Sequence, residues 1–523
     1  MTGTQGSGDD YAVAHLVTSN NTGANSQAFI ARSLRIQSGG TLDLARLHDA
    51  TNQNVSYNLP PVILEGGGGI RFRASNGSST HTVSAAIANS GSSFLRINGG
   101  NYVNSANLTG PISGSGSIAV VSESNAGVAT GDIRQISINA ANNTFSGDWS
   151  VIHQASGDDF AALRAGASRA LGTGTVTVGT RSRLINDASG GLNSVAGVVM
   201  NGTTSTLQLN QAWMNPAASL ALTGGSPAVV LGNAASSIGN LSGSTGTISG
   251  SGTSSALTVQ QTSDATFAGG LGTQLKFTKA GPAALRLTGA LHPSLKLTLS
   301  AGGLGFGESA VAIDSLTQTG GTLRVPLAST APLTLAGSYT CSGGTLAVVS
   351  DTVPATGVAY PLVAYHGSLG TPPAFSFEGP LAPGMTAAVD YGSGVDPVIR
   401  VTFSVDPYPA WAASHGLTGE DALPTADPDG DGVANREEML LSFDPVDPTS
   451  RLRLSVVAMD GATVTLRLNR VITSGVFSLE SSGTLQAPWS STPIPVPANA
   501  DDFEFQAPRT GLARFFRAVF QAP

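Results

Sequence analysis

The sequence predicts an all-β protein: a right-handed parallel β-helix over residues 1–405, a calcium-loop joint with short helices over 406–450, and a small C-terminal β-sandwich over 451–523. Three observations predict it. Glycine occupies 66 of 523 positions and charged residues only 11%, against roughly 7% and 25% in ordinary soluble domains; such a composition suits short strands joined by tight turns. Segments such as SLRIQ, GIRFRA, GTVTV, STLQLN, QLKFT and LKLTL recur between Gly, Ser and Asn clusters, which is the alternation of strands bounded by turns. The phrase GGTL, followed by alternating apolar residues, occurs in SGGTLDLA from Ser38, TGGTLRVP from Thr319 and SGGTLAVV from Ser342. The last two begin 23 residues apart, the length of one solenoid coil.

Length and charge narrow the function classes. A chain of 523 residues exceeds one ordinary compact domain and points to repeats or several domains. The net charge of -8, without a basic run, argues against nucleic acid and against anionic membrane surfaces. No apolar run reaches the roughly 18 residues of a membrane span. Cys341 is the only cysteine, which excludes an intrachain disulfide and a thiolate metal site and reads as a small buried apolar residue. The opening MTGTQGSGDDYAVAHL lacks a basic segment followed by an apolar one. A signal peptide is therefore expected to have been removed or truncated, because the features below point to an extracellular or cell-surface protein.

Within 1–405 a longer phrase also recurs. NLTGPISGSGSIAVV from Asn107 is matched by NLSGSTGTISGSGTSSALTV from Asn240, and each is followed by a similar element, NTFSGDW at Asn143 and ATFAGGL at Ala265. The phrases NTFSGDW, ALGTGTVTVG at Ala170 and LKFTKAGPAALRLTGAL from Leu275 resemble the autotransporter-associated β-strand repeat of large bacterial surface proteins, with Pro282 and Ala283 departing from its third phrase. YPLVAYHGSLGTPPAFSF, from Tyr360 to Phe377, resembles the strands that close such passenger helices. The resemblance implies an exported, extended β-helix at the cell surface. No translocator barrel follows in this chain, so it does not imply self-export.

The stretch ADPDGDGVANREEMLLSFDPVDP differs from its surroundings, with six carboxylates between Asp427 and Asp444. Asp427, Asp429, Asp431, Gly432 and Glu438 fit every defined position of the calcium-loop pattern D-x-[DN]-x-[DN]-G-x5-E. Calcium takes six to eight oxygens, and carboxylates on alternate residues of a tight turn converge on one point. The expected ligands are Asp427, Asp429, Asp431, the carbonyl of Val433, Asn435 at the ninth place and a bidentate Glu438. Pro424 precludes the entering helix of a full EF-hand, Pro428 lies inside the loop, and NREEMLLSF reads as a helix after it. The loop resembles the half-hands of dockerin and thrombospondin type 3 repeats in exported proteins, which implies a structural Ca2+. Asp444 and Asp447, each before Pro or near one, read as Asx-turn residues or as members of a neighbouring site.

Trp411, just upstream, is expected to pack over the joint. RLRLSVVAM, TVTLRLNRV, FSLESSGTLQAPW and RFFRAVF alternate as a small sandwich, which resembles a terminal module common after calcium joints. Parallel β-helices also host polysaccharide lyases and glycosidases, so a polysaccharide-binding or polysaccharide-degrading protein is the alternative to a non-enzymatic, adhesin-like surface protein. Its densest candidate is HQASGDDFAALRAGASR, with His153, Asp158, Asp159, Arg164 and Arg169, in a phrase where solvated loop charges need no chemical role; Arg71 and His81 follow. Expected partners are extracellular glycans or other surface proteins, and exposed coil ends could support self-assembly.

Overall fold

The protein, described from a computed structural model, is a parallel β-solenoid of about 13 turns with antiparallel sheets toward the C-terminus, and only 4% of it is helical. The structure describes residues 10–521 apart from 14–15, 22–25, 47–53, 75–78, 100–103, 125–132, 155–158, 308–309, 368, 395, 485–487 and 509–514. The chain forms two compact units. One comprises Met1–Pro354, Val358–Pro380 and Ala388–Thr402; the other comprises Ala355–Gly357, Leu381–Ala387 and Phe403–Pro523.

In the first unit each coil adds strands to parallel ladders. One ladder runs through Asp10–Val13, Ser33–Ile36, Val62–Leu64, Ile87–Asn89 and Ile112–Gly114, and a second, of eleven strands, extends from Ser26–Ala28 to Gly270–Leu271. The longest reaches from Leu16–Asn21 to Ala374–Glu378. It forks at Ala235–Gly243, whose first residues pair with Ala256–Val259 while Gly243 pairs with Phe267. The repeated phrases are single coils in register: Thr322 and Leu323 lie beside Thr345 and Leu346, as the 23-residue spacing predicts. Likewise the phrase around Asn107 supplies Asn104–Leu108, Ile112–Gly114 and Ile118–Ser124, and that around Asn240 supplies Ala235–Gly243, Thr247–Gly250 and Ala256–Gln260.

Alternation turns every second side chain inward, and register stacks those side chains. Leu42, Ile70, Leu95, Val120, Val151, Val178, Met200 and Leu222 form one buried column. Each such side chain contributes about 1.5–3 kcal/mol through burial. The polar residues of the repeat phrases serve the corners. Asn143 Nδ2 donates to the carbonyls of Ala140 and Ala170 at 3.2 and 2.6 Å, while its Oδ1 accepts the Ile112 amide at 2.7 Å. Trp149 Nε1 donates to the Leu171 carbonyl at 2.9 Å. Lys279 is fully buried, its Nζ 2.8 to 3.1 Å from the carbonyls of Ala280, Gly281 and Ala301; burial pushes its pKa down to about 8. Backbone carbonyls left open by a tight turn are thereby satisfied, as buried polar groups require.

Glycine is explained at one corner by contact between coils. A Cβ on Gly116 would lie 2.1 Å from the Gly91 carbonyl oxygen, one on Gly147 1.8 Å from that of Gly116, and one on Gly174 1.9 Å from that of Gly147. The column continues at Gly91, where a Cβ would meet Gly66 Cα at 2.5 Å. Cys341 is buried, as expected. Within the segment from Tyr360 to Phe377 the strand direction changes on one sheet only: Ala359–Ala364 pairs in parallel with Leu333–Leu335 but antiparallel with Val398–Val405, while Ala374–Glu378 continues the longest parallel ladder.

The second unit contains helix α1 (Tyr408–Ser414), a 3-10 turn (Gly419–Ala422), helix α2 (Asn435–Leu441) and two three-stranded antiparallel sheets. One sheet is Leu454–Met459, Thr463–Val471 and Ala500–Pro508; the other is Ser490–Pro493, Val476–Ser482 and Phe515–Gln521. Leu441 belongs to the core these sheets share with Val464, Leu466, Leu468 and Phe477. Met439 packs with Tyr408, Ala412 and Leu417 of the α1 segment. Helix α2 is thus a hinge pin of two apolar clusters, and the segment read as a separate joint lies in one compact unit with the terminal module.

The glycine column gives a direct test. Gly147→Ala places a methyl within covalent range of a backbone oxygen, and overpacking of this kind costs about 3 kcal/mol. Its midpoint of urea unfolding should fall clearly below that of the parent, and an unchanged midpoint would refute the close stacking.

Candidate metal centre

The acidic loop enters from the 3-10 turn and ends in α2. Gly430 and Gly432 take left-handed φ values of 74° and 92°, so the chain reverses within a few residues and brings alternate side chains to one side. Backbone amides then pin the first aspartates. Asp427 Oδ1 accepts from Gly430 and Asp431 at 2.9 and 3.2 Å, and its Oδ2 accepts from Gly432 at 2.9 Å. Asp429 Oδ1 accepts from Asp431 at 3.1 Å and Asp431 Oδ1 from Val433 at 2.8 Å. Oxygen ligand atoms of the three aspartates lie within 4.8 Å of one another.

The helix start is fixed by the same turn. Ala434 precedes α2 without any side-chain cap. Instead the Asn435 and Arg436 amides donate to the carbonyls of Ala426 and Pro424 at 2.8 and 3.0 Å. Asn435 Nδ2 is committed to the Asp421 and Leu423 carbonyls at 2.7 and 2.9 Å. These latches commit the amide nitrogen, while Asn435 Oδ1 has no hydrogen-bond partner among the described residues. They were not legible in the sequence, since backbone carbonyls carry no residue signature.

Glu438, one turn into α2, is fully buried. Among the described residues both of its carboxylate oxygens lack a hydrogen-bond partner, as do Asp429 Oδ2, Asp431 Oδ2 and Asn435 Oδ1. All five are acceptors, and all belong to residues expected as ligands from the spacing. Burial, and then the charges of Asp429, Asp431, Asp427 and Asp444, push the Glu438 pKa up to about 8. Burial likewise raises that of Asp429, with Asp431 and Asp427 adding to it. A buried acceptor without a partner costs about 1–3 kcal/mol, more if charged. The donor set is all hard oxygen, which fits calcium or magnesium rather than a thiophilic or imidazole-seeking metal. Val433, whose carbonyl was expected as the main-chain ligand, is held in the same turn by its amide.

The remaining acids nearby have ordinary roles. Asp444 Oδ1 accepts the Val446 amide at 3.2 Å and Asp447 Oδ1 the Thr449 amide at 2.9 Å, both Asx turns. Asp406 pairs with Arg436 at 2.8 Å. Trp411 packs at 5.6 Å from Tyr408 and 4.7 Å from His415, ring centre to ring centre.

The cluster weighed for catalysis is placed differently from a solvated loop. Asp158 lies outside the described residues. His153 and Asp159 turn into the solenoid, where Asp159 is fully buried and accepts from Arg134 Nε at 2.7 Å and Ser122 Oγ at 2.9 Å, with His153 Nε2 at 2.7 Å. Arg134 is equally buried. Sequence reading missed it because it lies one coil away; its place at an inward position of the strand Ile133–Ile138 was the available signal. Burial opposes ionisation of Asp159, but hydrogen bonds from His153, Arg134 and Ser122 outweigh it and hold the pKa below the usual aspartate value. Arg164 pairs with Asp187 on the outer surface, and Arg169 occupies a left-handed turn. Arg71 pairs with Glu123 at 3.0 Å, and His81 is buried between Tyr57 and Phe72.

The Asp159 cluster predicts a pH-dependent contribution. Its folded pKa lies below 3.8, so the ionised carboxylate stabilises the fold above that value and the contribution is lost as pH falls through the folded pKa. Asp159→Asn should cost on the order of 3–5 kcal/mol near neutral pH, since it leaves Arg134 buried without its counter-ion. The gap in unfolding free energy between parent and variant should narrow in acid. A gap independent of pH would refute the assignment.

Among the described residues no helix is long and apolar enough to cross a membrane. Searches against protein-family models, curated proteins and solved structures find no match for this chain.

Proposed function

We propose that this is an exported or surface-displayed structural protein, adhesin-like and non-enzymatic, whose solenoid is an extended scaffold and whose second unit is ordered by one structural calcium ion. The observation that carries the calcium reading is the set of five unpartnered, buried acceptor oxygens on Asp429, Asp431, Asn435 and Glu438. Four carboxylates around one point repel each other without a cation. Asp427, Asp429, Asp431, the Val433 carbonyl, Asn435 and both oxygens of Glu438 would hold the ion, which supplies only charge and a fixed geometry.

The ion acts through α2. Glu438 faces the loop, while Leu441 and Met439, on the same helix, pack into the sandwich core and the α1 cluster respectively. Fixing Glu438 therefore fixes both apolar contacts. Extracellular modules bind calcium at about 0.1–1 mM, an affinity matched to the outside of a cell, and this supports the exported location together with the repeat phrases that resemble bacterial surface proteins. The solenoid wall supports the scaffold reading: many of its outward positions are Ser, Thr, Asn or Gly, and the catalytic candidates His153 and Asp159 are sealed inside.

Two variants test the ion. For an affinity in that range, about 10 mM calcium stabilises the parent by about 1.4–2.7 kcal/mol, and the double variant Asp429→Ala, Asp431→Ala should gain nothing. Glu438→Gln should be at least as stable as the parent in chelator, because one repelling charge is gone, yet less stable than the parent in calcium. Equal calcium responses in parent and double variant would end the calcium reading.

A further inference from the structure

One surface of the first unit departs from the uniform wall. After the fork, Ala265–Phe267, Ala284–Leu287, Gly303–Phe306, Thr322–Pro326, Thr345–Val349 and Ala374–Glu378 lie side by side. Across these six strands runs an open groove of about 830 Å³, edged by Asp264, Arg286, Arg324, Asp351 and Glu378. At the usual strand separation its length is about 24 Å.

Register sets the floor of this groove. Arg286 lies beside Gly305, and Gly305 beside Arg324, so two arginines flank a glycine on successive strands. Their side chains are oriented. Arg286 Nε donates to the Phe306 carbonyl at 3.2 Å, and Arg324 Nε donates to both oxygens of Glu378 at 3.1 and 3.0 Å. Arg324 extends over Gly303, two residues before Gly305 on the neighbouring strand, where a Cβ would lie 2.5 Å from its Nη1. Among the described residues Arg286 has no carboxylate partner.

Gly305 itself has no backbone reason to be glycine. Its φ is not left-handed, and a Cβ there would meet only Arg324 Cβ at 3.7 Å and Arg286 Cγ at 4.0 Å, ordinary contacts. Gly307, also in the groove, is similar, with nothing closer than 3.5 Å. The corner glycines are forced by neighbouring backbone; these two leave space that a side chain could fill.

We infer that the groove binds an extended acidic polysaccharide, with a carboxylate or sulfate of the chain seated between Arg286 and Arg324 above Gly305. Guanidinium groups recognise planar carboxylates and sulfate oxygens through paired N–H donors. A sugar chain lying along the solenoid axis advances by nearly one strand separation per residue, so successive sugars meet equivalent positions of successive coils. Asp264 and Asp351 accept hydrogen bonds from sugar hydroxyls, while Glu378, paired with Arg324, holds that guanidinium in place. This binding goes beyond the scaffold and calcium readings and involves no residue of the acidic loop.

The test uses the full chain in chelator, so that calcium plays no part, with polygalacturonate, dextran sulfate, neutral dextran and single-stranded DNA as probes in titration calorimetry. Binding of polygalacturonate, of dextran sulfate or of both, with neutral dextran silent, supports the site, and the pattern distinguishes uronate from sulfate recognition. Arg286→Gln with Arg324→Gln should weaken that binding at least 30-fold, and Gly305→Leu, which keeps both charges but fills the notch, at least 10-fold, each with unfolding midpoints near the parent's. Silence of the parent with both acidic polymers, equal affinity for neutral dextran, tighter binding of DNA, or full binding by well-folded variants would overturn the proposal.

Discussion

The close stacking of successive coils is the constraint on which the rest depends. Parallel hydrogen bonding holds neighbouring strands about 4.8 Å apart, and that spacing admits one inward side chain per level and, at the column from Gly91 to Gly174, no side chain at all. Stability comes from repetition: each coil buries its apolar face against the next. The composition follows. Where a carbonyl is left open at a corner, Asn143 or Lys279 turns back to cover it, and such residues look like motif signatures because every coil faces the same problem.

Inside the solenoid, buried carboxylates lie beside cationic side chains. Asp159 has Arg134 and His153, and buried Asp43 has Arg73 at 2.7 Å. Burial raises the Asp43 pKa against the nearby arginines, a sign of how costly such placement is. Arg71 and Arg96 converge on Glu123. In the acidic loop the pattern breaks: among the described residues the buried oxygens of Glu438 have no hydrogen-bond partner, and the charges that act on them are those of other carboxylates. The acidic loop therefore differs from the rest of the molecule, including the sheets of its own unit, where Arg467 pairs with Glu504 and Arg517 with Glu480: it leaves a set of oxygens that an ion could complete.

Much of this was legible in the sequence, for physical reasons. The 23-residue spacing of GGTL and the short alternating segments report a local periodicity, and both coils and strands follow from it. The convergence of Asp427, Asp429 and Asp431 was legible because the residues expected as ligands sit within twelve positions and their spacing sets the turn. What could not be read were contacts made by stacking. Arg134, Ser122 and Asp159 come from different coils, so the histidine and aspartate looked like solvated loop charges. Arg286, Gly305 and Arg324 recur at a constant step of 19 residues, a signal that becomes a site only once the coil length there is known. The latches from Asp421, Leu423, Pro424 and Ala426 use backbone oxygens and leave no trace in residue type.

The proposed calcium site and the proposed location outside the cell stand or fall on whether the acidic loop holds an ion. The most direct measurement is the calcium stoichiometry of the purified full-length chain by equilibrium dialysis at millimolar free calcium. One ion bound per chain, displaced by chelator and accompanied by increased protection of the Gly430, Asp431, Gly432 and Val433 amides from hydrogen exchange, is the predicted result. No bound ion, with those amides equally protected in calcium and chelator, would contradict the account.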